Sequence, residues 1–142
     1  MRQAVTFLLE GRHYRESHWE TNTTTGQGIY SERGELSILH YQEETEGSRI
    51  RTKISWKGTV LEVERSGDVQ SSLVYEMGQE HVCPYQTPFG VMDIHTFTQA
   101  IEETRTDEGL TLLVTYRIAY GEEEEPQKAV LRLEIRLHPQ EA

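Results

Sequence analysis

The residues with chemistry in them cluster in one stretch, "CPYQTPFGVMDIHT", residues 83–96. Asp93 and His95 are two apart, so on a strand they share a face and could act as a base pair or begin a metal site. A metal needs at least a third ligand, and His81, His40 or His13 would supply one only through tertiary placement. The simpler reading puts Asp93 and His95 outside, with Met92, Ile94 and Thr96 inside. Cys83, the only cysteine, shares a strand face with His81. An activated thiolate needs a helix N-terminus, a cation or a metal beside it, and a small packing cysteine is the plainer expectation. No motif of nucleophile elbow, phosphate loop, C-x-x-C or H-E-x-x-H type occurs. The sequence therefore points to no catalytic residue, no metal and no cofactor.

Arg65 is the charge of most interest. The hairpin pattern below places it at the end of an apolar face, where a guanidinium must be paired. It either closes one end of the fold structurally or meets an anionic ligand through its planar fork. Trp56 and the tyrosines, among them Tyr41 and Tyr85, combine an apolar body with a polar tip, which suits a pocket or a satisfied core. Within "YQTPFG", Pro88 cannot donate to a ladder and Gly90 permits a sharp bend. That segment reads as a corner between two strands, flanked by Tyr85 and Phe89 at a barrel mouth.

The elements that position these residues are strands. The chain has 142 residues, 35 % hydrophobic and 27 % charged, which suits one domain over residues 1–142. In "RIRTKISWKGTVLEVER" a two-residue turn at Lys57-Gly58 sets Trp56 against Thr59, Ile54 against Leu61, Thr52 against Val63 and Ile50 against Arg65. The same register pairs Lys53 with Glu62 and Arg51 with Glu64. A three-residue turn with a bulge at Gly58 is the alternative. In "LTLLVTYRIAY" Leu110 to Tyr120 alternate, and after "GEEEEP" Ala129, Leu131, Leu133, Ile135 and Leu137 form one face. The four-Glu segment reads as a solvated turn. Val5, Phe7 and Leu9 mark a further strand, as do "GELSILHYQEE" and "VQSSLVYEM". "GVMDIHTFTQAIEET" reads as a long strand with a bulge, and "TGQGIYS" as a loop entering a strand. About eight to ten antiparallel strands with short links favour an all-β, up-and-down barrel, whose closure removes the edges.

The net charge of −10 disfavours nucleic acid and anionic membrane surfaces. One cysteine and a short apolar run near the N-terminus make a cytoplasmic location the expectation.

The ordered set "TTTGQG", "LHYQEE", "TKISW", "EVERSGDVQSSLVYEMGQ", "YQTPFGVMDIHT" and "LLVTYRI" resembles the YwiB-like family of small bacterial proteins. The resemblance implies a calycin-like (lipocalin-fold) barrel and brings no biochemical function with it. The family's most recognisable positions fall on Gly26, Tyr41, Glu43, Thr52, Arg65, Gly67, Tyr85, Thr87, Pro88, Phe89, Gly90 and Thr96. The expectation is then a barrel that binds a small, partly apolar ligand inside or at its mouth, through Arg65, Trp56, Tyr41, Glu43, Tyr85, Thr87 and Phe89. The first alternative is a protein-interaction or regulatory module using an outer face. A small hydrolase built on Cys83–His81, or on Asp93–His95 with a metal, is the second.

Overall fold

The computed structural model describes residues 2–45, 47–121 and 125–137. Ten strands follow one another: β1 (Arg2–Arg15), β2 (His18–Arg33), β3 (Leu36–Thr45), β4 (Ser48–Lys57), β5 (Val60–Gly67), β6 (Gln70–Glu76), β7 (Glu80–Thr87), β8 (Gly90–Thr106), β9 (Gly109–Tyr120) and β10 (Gln127–Leu137). Each pairs with the next in sequence, and β10 returns to β1, so the sheet closes as an all-antiparallel barrel. Glu122–Glu124, most of the acidic turn read from the sequence, lie outside the described residues.

Period-two hydrophobicity builds the interior. Val5, Phe7 and Leu9 of β1 face Leu112, Val114, Leu133 and Ile135 from β9 and β10 in one core, with Leu39, Ile54, Leu61, Val63 and Leu73. The β9–β10 register sets Leu131 against Val114, Leu133 against Leu112 and Ile135 against Leu110, as the alternation required.

The β4–β5 hairpin differs from its predicted register by two residues. Its turn is Gly58-Thr59, so Trp56 faces Leu61, Thr52 faces Arg65, Lys53 faces Glu64 and Ile50 faces Gly67. The cause is turn chemistry. Gly58 has φ +59° and Thr59 no positive φ, which suits a II′ turn with glycine at its first central position. A shift of two keeps every residue on its predicted face, so the core survives the error.

One other expectation needs correction. "TGQGIYS" is not a loop: Gly26 and Gly28 lie inside β2, paired with Phe7 and Val5. A Cβ on Gly28 would come within 2.7 Å of the His40 carbonyl oxygen and 3.1 Å of the Leu39 side chain, so glycine lets β3 approach β2 closely. In β3 it is Ser37, Leu39 and Tyr41 that alternate as buried residues, and His40 is exposed; Ile38, on the same face as His40, is also buried.

The long β8 strand carries its expected bulge between Thr98 and Ala100. The bulge reverses the strand's parity. Ile94, Thr96 and Thr98 are buried before it, whereas Glu103 and Arg105 after it stand opposite the buried Leu112 and Leu110. At the other end of the hairpin, Thr87 pairs with Gly90 around a Pro88-Phe89 turn, the predicted corner. Pro84 lies mid-strand in β7. The β6–β7 ladder has only two pairs, Gln70 with Gln86 and Ser71 with Tyr85, and stops beside this residue that has no N–H to donate.

Candidate functional site

Register alone assembles a ring near one end of the barrel. Tyr41 stands opposite Thr52, Thr52 opposite Arg65, Arg65 opposite Ser71, Ser71 opposite Tyr85, and Tyr85 opposite Met92. These residues share the inward parity of the core. The ring thus unites three predicted site residues, Tyr41, Arg65 and Tyr85, contributed by β3, β5 and β7.

Tyr41 is buried, its ring 4.3 Å from that of Phe7. Its hydroxyl and Thr52 Oγ1 are buried without a well-formed hydrogen bond. Burial pushes the Tyr41 phenol up, opposed chiefly by the positive charge of Arg65. Deeper in the barrel Tyr75 meets Tyr116 edge-on at 4.8 Å, and full burial pushes the Tyr75 phenol up to about 12. Arg65 therefore lies among tyrosines and makes no salt bridge among the described residues.

A cavity of about 1050 Å³ follows this ring along the wall. Gly28, Tyr41, Thr52, Arg65 and Ser71 border it, but most of its border comes from their neighbours: Ala4, Ile29, His40, Gln42, Arg51, Lys53, Glu64, Ser72, Pro84 and Val91. Those neighbours have outward parity. Where the ring reaches β7 and β8, Pro84, Gln86 and Val91 border the cavity and Tyr85 and Met92 do not. The cavity is thus an open groove on the outer side of the wall rather than a closed chamber. Arg51, Lys53, Arg65 and His40 face a single acid there, Glu64, which sits 3.7 Å from Lys53 Nζ.

The remaining predicted ligand residues are dispersed. Glu43 lies opposite Ile50, one step nearer the β3–β4 turn, and does not border the groove. Trp56 is at the other end of the core, 3 % exposed, donating from Nε1 to Glu103 Oε2 at 2.8 Å. Thr87 closes the β7–β8 hairpin. Phe89 is 99 % exposed on its turn and does not line a mouth.

The reactive-looking residues find other partners. Cys83 is packed in the core, and His81 Nε2 lies 2.9 Å from Glu76 Oε1. Asp93 is exposed, and His95 Nδ1 lies 3.6 Å from Glu80 Oε1. Among the described residues no group of three or more His, Cys, Asp or Glu could hold a metal ion.

Sequence reasoning missed a second arginine centre. At the opposite end Arg105 Nη1 donates to Glu32 Oε1 at 2.8 Å, its Nη2 to Ser37 Oγ at 3.2 Å, and its Nε to Glu103. Tyr30 Oη donates to the same Glu32 oxygen at 2.6 Å. Both hydrogen bonds hold the Glu32 carboxyl below its ordinary value. This network ties β8 to β2 and β3 across the barrel end. The signal was the pair Glu103 and Arg105, but the bulge had to be placed before either could be assigned inward.

Residues 9–133 match the family described as "Domain of unknown function (DUF1934)". The chain is 29 % identical over 100 residues to "Uncharacterized beta-barrel protein YwiB" of Bacillus subtilis (strain 168), covering 69 % of each. The crystal structure of ywiB protein from Bacillus subtilis superposes with a TM-score of 0.84 at 16 % identity, over 97 % of this chain and 94 % of that one. At that identity the likeness concerns the fold.

Proposed function

The chain belongs to the DUF1934 family, and from that premise we propose that it is a small-molecule-binding barrel whose ligand occupies the groove beside Tyr41 and Arg65. The observation that carries this reading is the groove itself. Its volume of about 1050 Å³ is that of a site for an organic molecule, and it follows the ring that unites three residues singled out by sequence. In this reading the ligand lies along the outer wall, rather than inside the barrel or at its mouth. Ser66 offers a direct test, since it is small, exposed and borders the groove. Thermal-shift and native mass-spectrometric screening of the full chain against drug-sized organic compounds should yield adducts that Ser66→Trp abolishes without lowering the melting temperature. No adducts, or adducts indifferent to Ser66→Trp, would remove the reading.

A second reading has its own observation. Val82, Val91 and Phe97 are 55 %, 66 % and 41 % exposed on β7 and β8, and the register gives all three outward parity. These exposed apolar residues, interspersed with Asp93 and His95 on a chain of net charge −10, suit a protein partner with a basic rim. A complex that dissociates in salt and is lost in Phe97→Ser would favour it.

A further inference from the structure

The groove's charge is opposite to that of the molecule. A smaller cavity of about 350 Å³, bordered by Arg2, Ile29, Ser31, Glu32, Arg33 and His40, adjoins the main groove, and Ile29 and His40 border both. Together the two borders hold five arginine or lysine residues (Arg2, Arg33, Arg51, Lys53 and Arg65) against two glutamates. The chain as a whole has 14 arginine and lysine residues and 24 acids. Of the two glutamates, Glu32 is engaged by Tyr30 and Arg105. Glu64 pairs with Lys53 only at 3.7 Å with both side chains over 40 % exposed. Arg2, Arg33, Arg51 and Arg65 make no salt bridge among the described residues.

Cations that outnumber the carboxylates around them repel one another, and an anion between them relieves that repulsion while gaining charge-assisted hydrogen bonds. Guanidinium forks suit the flat, two-oxygen edge of a carboxylate or phosphate. Ala4, Ile29, Pro84 and Val91 give the same border apolar ground. Resting on the groove as the ligand site, we infer that its ligand is an amphipathic organic anion: a carboxylate or phosphate monoester head held by Arg51, Lys53 and the His40 side of the groove, with an apolar tail along the wall. His40 senses the same field. Its imidazole is held below the ordinary range, first by partial desolvation and then by Lys53, Arg2 and Arg33, with Glu64 opposing.

The test uses a pair of fluorescent probes that differ in one charge, dansylglycine and dansylglycinamide, titrated into the full-length protein at low salt. The carboxylate should bind at least about tenfold tighter than the neutral amide, the scale of one hydrogen bond to a charged group. Arg51→Gln/Lys53→Gln, at two solvent-facing positions, should remove that preference and keep the amide's affinity. Arg51→Gln alone should remove part of it. Displacement of dansylglycine by octanoate against octyl phosphate distinguishes the two head groups, and failure of both to displace overturns the inference. Equal binding of the two probes to the wild-type protein overturns the anion inference and leaves the groove as a neutral-ligand site. Binding of neither probe, with no compound found in the wider screen, overturns both.

Discussion

The barrel has two arginine centres with opposite surroundings. Arg105 meets Glu32, Glu103 and Ser37, and through Glu103 it connects to the Trp56 indole. Its guanidinium is fully engaged in tying three strands together. Arg65 stands at the other end among Tyr41, Tyr75 and Tyr116, without a carboxylate, on a groove with further cations. Both are arginines on inward positions, Arg65 on the eight-residue β5 and Arg105 on the seventeen-residue β8. What separates a structural clamp from a candidate binding group is therefore the partner set, which comes from tertiary register and not from residue type. The clamp end is finished as it stands, whereas the groove end keeps positive charge that its own chain does not neutralise.

Substitutions at the two ends should diverge in size. Trp56→Ala should cost the most, about 3–5 kcal/mol in urea unfolding, because it empties a large buried volume and strands Glu103. Arg105→Met should cost about 2 kcal/mol, since it leaves Glu32 and Glu103 facing one another at a half-exposed site. Arg65→Met should cost under about 1 kcal/mol, having no salt bridge to break. Equal losses from the two arginine substitutions would erase the contrast. Arg51→Gln/Lys53→Gln should leave stability within about 0.5 kcal/mol, so that any change in anion binding reports on the groove alone.

The smallest effect is on pH dependence. His40 and His13 have native pKa values below the 6.5 of the unfolded chain, in each case through partial desolvation first. Both are neutral in the folded protein at neutral pH, and the unfolded state takes up their protons first as pH falls. Their contribution to stability is complete above pH 6.5 and is lost as pH falls from there through the lower native values. Glu32 is also lowered, first by its hydrogen bond from Tyr30 and then by that from Arg105. Its contribution is present above its unfolded value of 4.5 and is lost as pH falls through the native one. Melting temperatures between neutral and mildly acid pH should therefore decline less steeply in His40→Gln than in wild type. An unchanged slope would remove His40 from the account, and Arg105→Met should flatten only the more acid part.

Much of the fold was legible because period-two hydrophobicity survives local errors. The β4–β5 turn lies one residue beyond its predicted place and the pairing shifts by two, yet Ile54, Trp56, Leu61 and Val63 stay inside, since a shift of two preserves strand parity. A shift of one does not, and that is what the β8 bulge imposes after Thr98. The clamp residues Glu103 and Arg105 were hidden for that reason. Tyr41, Arg65 and Tyr85 were named individually, and their meeting in one ring was not, because it depends on register across four hairpins. The groove was less legible still. Its cations Arg2, Arg33, Arg51 and Lys53 come from β1, β2 and β4, and on paper each is an ordinary exposed charge. Phe89 shows the converse: a conspicuous aromatic at a corner, where the turn geometry sends it to solvent.

The most direct measurement is a two-dimensional amide NMR titration of the full chain with octanoate. Shifts should concentrate at residues 27–29, 40–42, 51–53, 64–66 and 70–72, with Trp56 and residues 103–106 unmoved. Shifts centred on Trp56 and Arg105, or on Val82 and Phe97 with the groove silent, would contradict the groove as the ligand site.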